Sequence, residues 1–406
     1  MSKRAVVSMS FLFVILVCGS CSQQQYFDSS LKSIVKPHLF SVVRWESRTI
    51  PYMVKQWIFG SHTRSDNEVQ VVTEYFSLVE HIKTMKYEAD AISVGNKQGD
   101  LHSIEVESSL VEKQRARLET AVERIIARQV KETLAQEGIF NPIAGMKIYF
   151  PPVNFSLENP PHLLVVSPRD RIDSIREITL KQDITREQME GMEDRVDELD
   201  VSSLVVELGG YGGTYPPFVI SNASLRFTLE TVVEEWTHQY LTFTPLGFKY
   251  LLDLTGISRN YEIATMNESV AGMVSREIGT RVYEKYYPQY AYSRNNDSEV
   301  KSGFDFNREM REIRKAVDMY LAEGEIERAE ELLEQKRQYI VANGYYIRKL
   351  NQAYFAFHGT YADKPTSISP IGVELRKLRE RSASLKEFLD TVSAMISRQD
   401  LMESVK

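Results

Sequence analysis

Between Val106 and Gln136 apolar side chains return at helical intervals, at Leu118, Val122, Ile125, Ile126, Val130 and Leu134, with Glu, Arg and Lys between them. A stripe of this period is buried only when it runs along one face of an α-helix and another element covers that face. So long a stripe needs partners of comparable length, which places the chain among folds dominated by helix packing. After a Gln-rich spacer at Gln23 to Gln25, the wider stretch from about Phe27 to Phe140 also reads as helical. Stripes of this kind are core packing and say nothing of function.

The period changes near Asn141. Lys147-Ile148-Tyr149-Phe150, His162-Leu163-Leu164-Val165-Val166 and Ser203-Leu204-Val205-Val206-Glu207-Leu208 are short apolar or β-branched runs bounded by Pro, Asn, Asp and Gly, which predicts strands. The acidic stretch Arg186 to Asp200 between the last two is a helix or a solvated excursion. Gly209-Gly210-Tyr211-Gly212-Gly213-Thr214-Tyr215-Pro216-Pro217 predicts a sharp loop that exposes its backbone. Helices return from Ser224. Asn307 to Asn343 predicts an antiparallel hairpin broken at Glu323-Gly324-Glu325, and Val373 to Ser397 a final amphipathic helix. The expected fold is α+β and predominantly helical, with a small mixed sheet between helical regions: 22–140 helical, 141–300 carrying the site described below, and 301–406 helical again.

Residues 1–21 are a separate object. Lys3 and Arg4 precede an apolar run from Ala5 to Cys18, and Gly19-Ser20-Cys21 follow. The run is shorter than the roughly 20 residues a spanning helix needs, so a cleaved export signal is the better reading. Cys18 and Cys21 are the only cysteines, so the remaining domain has no disulfide or thiolate-bound metal. Cys21 after a small residue resembles the bacterial lipobox, except that Cys18 stands where an aliphatic residue is usual. The resemblance implies an exported protein with a lipid anchor at Cys21 on the extracytoplasmic face of the cell membrane; ordinary cleavage near the same place is the alternative. With 406 residues, 43% hydrophobic and 26% charged, at a net charge of -7, the chain has the composition of a globular protein and lacks the positive excess that binding to nucleic acid demands.

Glu234-Glu235-Trp236-Thr237-His238 puts Glu234 and His238 on one helix face, with Glu235 one step round. That is the geometry of H-E-x-x-H, in which two residues hold zinc and the intervening Glu takes a proton from water. Here the first His is Glu. Burying two adjacent carboxylates and a His is costly without a compensating charge, and a metal supplies one. Taken alone, the segment is also compatible with a partly exposed helix. A second helix, Ile263 to Val282, carries Asn267-Glu268-Ser269-Val270-Ala271, and its Glu268 is in place to be a third ligand.

The pair of segments resembles the gluzincins, thermolysin-like zinc metallopeptidases, and among them bacterial putative aminopeptidases that pair H-E-x-x-H with N-E-S-hydrophobic-A. The later L-N-N-A stretch of that group corresponds to Leu350-Asn351-Gln352-Ala353. The likeness covers about residues 200 to 365. It implies one zinc ion held by Glu234, His238 and Glu268, Glu235 as general base, His358 and Tyr361 as candidate oxyanion donors, and a peptide or protein substrate that the Gly209 to Pro217 loop presents in extended form. A His and a Tyr in an aromatic run such as Tyr354 to Tyr361 are more often packing residues, which is the alternative for His358 and Tyr361. A second carboxylate ligand makes the site more anionic and lets manganese compete with zinc.

Two functions follow from the resemblance. One is an aminopeptidase-like, metal-dependent peptidase acting outside the cytoplasm. The other is a catalytically inactive lipoprotein of the same fold that binds peptides or a partner. A helical scaffold lipoprotein, a third class, predicts that Glu234, Glu235, His238 and Glu268 lie apart. His38, His62, His81, His102 and His162 show no ligand spacing and read as structural or surface residues.

Overall fold

The structure is a computed structural model that describes residues 25–41, 67–93, 98–142, 149–290 and 304–406. The N-terminal signal, Cys18 and Cys21, His62, and Lys147 with Ile148 lie outside these residues.

Helix α1 (residues 25–35) buries Leu31, Ile34 and Val35. The long amphipathic pattern becomes a pair of helices packed on each other, α2 (Glu68–Ser93) and α3 (Leu101–Gln136). Val72, Tyr75, Phe76, Val79, Ile82 and Met85 form the buried stripe of α2, and Val122, Ile125, Ile126, Val130 and Leu134 that of α3. The start of α3 at Leu101 is set by Asp100, whose carboxylate accepts the amide hydrogens of His102 and Ser103.

Among the described residues six strands follow, in two three-stranded sheets: β1 (Ser156–Leu157), β2 (His162–Pro168), β3 (Arg176–Leu180), β4 (Val201–Glu207), β5 (Gly210–Tyr211) and β6 (Phe218–Val219). The larger sheet, ordered β3-β2-β4, is antiparallel throughout. The smaller, β1-β6-β5, is mixed, with β1 parallel to β6 and β5 antiparallel to it. The strands expected at His162 and Ser203 are present and paired. Tyr149 and Phe150, the described part of the strand expected at Lys147, are not in a strand: Pro151 and Pro152 follow and offer no amide hydrogen to a ladder. Within the loop expected at Gly209 to Pro217, Gly210-Tyr211 pairs as β5 before the chain turns.

The acidic stretch is a helix, α4 (Arg186–Asp197), started by a Thr185/Gln188 capping box. Its Glu193 is only 2% exposed. The carboxylate accepts the Val205 amide at 2.6 Å and two Arg348 nitrogens at 2.8 and 2.6 Å, which fastens α4 and the C-terminal region to β4.

Helices then take over: α5 (Leu225–Thr242), α6 (Pro245–Leu254), α7 (Tyr261–Tyr286), α8 (Phe306–Ala322), α9 (Ile326–Ala342), α10 (Gln352–His358), α11 (Pro370–Arg381), α12 (Leu385–Ser393) and α13 (Arg398–Ser404). The hairpin expected over 307–343 is α8 and α9. The single helix expected over Val373 to Ser397 is instead divided among α11, α12 and the approach to α13. The breaks fall where Ser384 and Ser397 accept the amide hydrogens of Glu387 and Asp400, since a serine side chain offers the backbone an alternative to continuing the helix.

The main core gathers side chains from α2, α3, α5, α7, α11, α12 and α13, including Phe76, Ile126, Trp236, Val270, Leu375 and Phe388. Helix α7 runs through it with Met266, Val270, Val274, Ile278 and Val282 fully buried. A second cluster joins α1, α4 and the larger sheet. Among the described residues no helix is long and apolar enough to cross a membrane.

Candidate metal centre

Ser224 starts α5 by accepting the Phe227 amide hydrogen, and Asn260 starts α7 by accepting that of Ile263. Val232, Val233, Trp236, Tyr240 and Leu241 anchor α5 in the core. With the helix so oriented, Glu234 and His238 share its remaining face, and α7 lies against it carrying Glu268.

One ligand atom each from Glu234, His238 and Glu268 lie within 4.8 Å of one another. His238 Nε2 is 3.7 Å from Glu268 Oε2, while Nδ1 meets Asn267 Oδ1 at 2.9 Å. With Nδ1–H donating to that amide oxygen, the Nε2 lone pair is left facing the carboxylates, the configuration a ligating imidazole requires. Asn267 is 1% exposed, and its Nδ2 has no partner among the described residues. Tyr250, on α6, donates its hydroxyl to Glu268 Oε1 at 2.5 Å.

Glu235 turns toward the smaller sheet. A β-carbon at Gly210 would overlap its carboxylate, and one at Gly212 would lie 2.6 Å from Oε2, so the glycines of this loop are what let the backbone approach. The carboxyl is pushed up to about 8 by burial, with Glu234 and Glu268 adding to the rise and His238 and the Gly212 amide opposing it. Burial, reinforced by Glu268 and opposed by His238, also raises Glu234. For His238 burial pulls downward, yet Glu268, Glu235 and Glu234, with the Asn267 hydrogen bond, carry the net shift upward.

These shifts have one origin: carboxylates crowded out of water with too little positive charge among them. A divalent cation is the complement such a donor set lacks. Two carboxylate oxygens and one imidazole nitrogen, with the imidazole already oriented, fit a three-ligand site.

Serine 269 completes a division of labour along α7. Its hydroxyl donates to the Thr360 carbonyl at 3.3 Å and accepts the Ala362 amide hydrogen at 2.9 Å, so it grips the backbone on both sides of Tyr361. That phenol is pushed well above its usual range by burial and then by Glu268, Glu234, Tyr250 and Glu235. Tyr361 thus belongs to the cluster. His358 does not share this environment: it packs on Tyr354 and Phe357, and the charge that acts on it is Lys364.

Three participants escaped sequence reasoning. Tyr250 sits in a helix with no motif around it, and Asn267 was visible only as the neighbour of Glu268. Glu177, on β3, is a further carboxyl raised by burial and by Glu268, with Arg259 opposing and Ser174 donating to it at 2.8 Å; nothing in a strand sequence signals such a long-range approach. Of the histidines set aside, His162 bonds the Lys181 carbonyl through Nδ1 at 2.9 Å, and His81 lies 3.8 Å from Glu107 at the surface.

No family model, curated protein or solved structure matches the chain. The gluzincin resemblance therefore rests on the sequence alone, on residues 234–238, 267–271 and 350–353.

Proposed function

We propose that the chain is a metal-dependent, aminopeptidase-like peptidase in which Glu234, His238 and Glu268 hold one zinc ion, with manganese as a competitor. The observation that carries this reading is the convergence of those three side chains from two helices to within 4.8 Å. Bound there, the ion would supply Lewis acidity toward a carbonyl oxygen and lower the pKa of water.

Glu235 is the proton carrier. Next to added positive charge its carboxylate form is favoured, and it accepts a proton from the attacking water and returns it to the leaving amine. Tyr361, held protonated by burial and then by its anionic surroundings, donates its hydroxyl hydrogen to the carbonyl oxygen as negative charge develops. His358 faces elsewhere and has no part in this step. The Gly209 to Pro217 loop presents backbone groups to an extended peptide. The N-terminal sequence supports export and a lipid anchor at Cys21, which places the peptide or protein substrate outside the cytoplasm.

One feature favours the alternative, a non-catalytic lipoprotein that binds peptides or a partner. Glu234 replaces a neutral ligand with an anionic one, which lowers the effective charge on the ion. Two measurements decide. Purified protein should hold one equivalent of zinc or manganese, lost in His238→Ala, and absence of stoichiometric metal ends the enzyme reading. Hydrolysis of a peptide library should vanish in Glu235→Gln with metal retained; undiminished hydrolysis removes Glu235 as the base.

A further inference from the structure

Beside the candidate centre lies a cavity of about 430 Å³, bounded by Phe306, Arg314, Tyr354, Phe355, His358 and Lys364. Its size is that of a small-ligand pocket. The walls are largely aromatic and apolar, and the polar lining combines the cations Arg314 and Lys364 with His358 and the hydroxyls of Thr366, Ser367 and Ser369. Arg314 is already compensated by Asp318, at 3.1 and 2.9 Å from Nε. Lys364 has no ion-pair partner among the described residues; its Nζ rests 4.0 Å above the ring of Tyr361. Neither His358 nitrogen is hydrogen-bonded among the described residues, and burial pushes the imidazole down to about 4, with Lys364 adding to the effect. His358 is thus neutral at physiological pH and offers one N–H. Gly359 lets the wall pack closely: a β-carbon there would lie 2.5 Å from the Tyr261 hydroxyl and 3.1 Å from an Arg314 nitrogen.

One uncompensated cation beside a neutral donor suits a single negative charge better than the two of a phosphate monoester, and the aromatic walls suit an apolar body. We propose that this cavity binds a carboxylate carried on an apolar or aromatic group, with Lys364 and His358 meeting the carboxylate. Lys364 also acts on Glu234, and the Tyr361 ring on which its Nζ rests feels Glu268 and Glu234 in turn, so the cavity and the centre are neighbours. Resting on the peptidase reading, the ligand is the C-terminal residue of a short peptide substrate. A free apolar carboxylic acid shares the same chemistry.

Titration calorimetry of the full chain with N-acetyl-L-phenylalanine and with its amide tests the cavity. The acid should bind at least tenfold more tightly than the amide, both in zinc-loaded protein and after EDTA treatment. Lys364→Met and His358→Phe should each lose that preference, and Lys364→Arg should keep it, which separates loss of charge from loss of fold. Equal affinity for acid and amide, or a preference untouched by Lys364→Met, overturns the proposal. Because the EDTA-treated arm needs no metal, failure of the metal reading leaves this test intact. Hydrolysis of a dipeptide against its C-terminal amide then assigns the source: at least tenfold preference for the free acid supports the substrate's own C-terminus, and equal rates overturn that assignment.

Discussion

Replacing Glu235 by Gln in metal-free protein should stabilise the fold, and increasingly so as pH rises. The ordinary value for this carboxyl is 4.5 and the folded protein holds it at about 8. Between those values the folded chain binds a proton that the unfolded chain has released, so stability is complete below about 4.5 and falls as pH rises toward 8. At about 1.4 kcal/mol per pH unit, the whole interval costs roughly 3–5 kcal/mol. Glutamine carries no titrating proton and escapes the cost while keeping the shape of the side chain. Urea unfolding of EDTA-treated wild type and Glu235→Gln, followed from pH 5 to pH 9, reads the difference directly. The variant's advantage should grow by about 3 kcal/mol or more across that range. A difference that stays flat within about 1 kcal/mol would refute the claim that Glu235 is a buried carboxyl lacking a compensating charge. Adding zinc to the wild type should flatten its curve, because the cation supplies that charge.

Other substitutions probe the supporting residues. Asn267→Ala removes the acceptor that orients His238 and should weaken zinc binding about 10–100-fold, measured by competition with a chelating indicator. Tyr361→Phe should lower kcat about 10²-fold or more with little change in KM, the pattern of a donor that acts in the transition state. Away from the centre, Arg348→Met leaves the buried Glu193 with only the Val205 amide and Lys349, 3.7 Å away, and should cost about 3 kcal/mol in urea unfolding, with zinc affinity unchanged.

The sequence made the helices legible because their stripes repeat over many turns, and it brought out the site because both motifs sit on such helices. Glu234, His238 and Glu268 could be grouped from local spacing plus one assumption, that α5 and α7 pack face to face. What escaped depends on contacts between distant segments. Tyr250 and Glu177 approach Glu268 from a separate helix and a separate strand, and neither lies in a pattern. The division of the last amphipathic stretch escaped for a local reason: apolar periodicity continues across Ser382 to Ser384 almost undisturbed, and only the capping bonds of Ser384 and Ser397 reveal the breaks. His358 and Tyr361, three residues apart, read as equivalent candidates, yet the chain leaves α10 between them and they face different surroundings.

Asn267, Glu268 and Ser269 point in three directions because successive residues on a helix are turned by about 100°. One aims at His238, one at the cation position and one at the backbone around Tyr361. A small rotation or slide of α7 would misalign all three together. The fit of Val270, Val274 and Ile278 into the core therefore acts as the site's indexing device, and enlarging any of them should displace Asn267, Glu268 and Ser269 together.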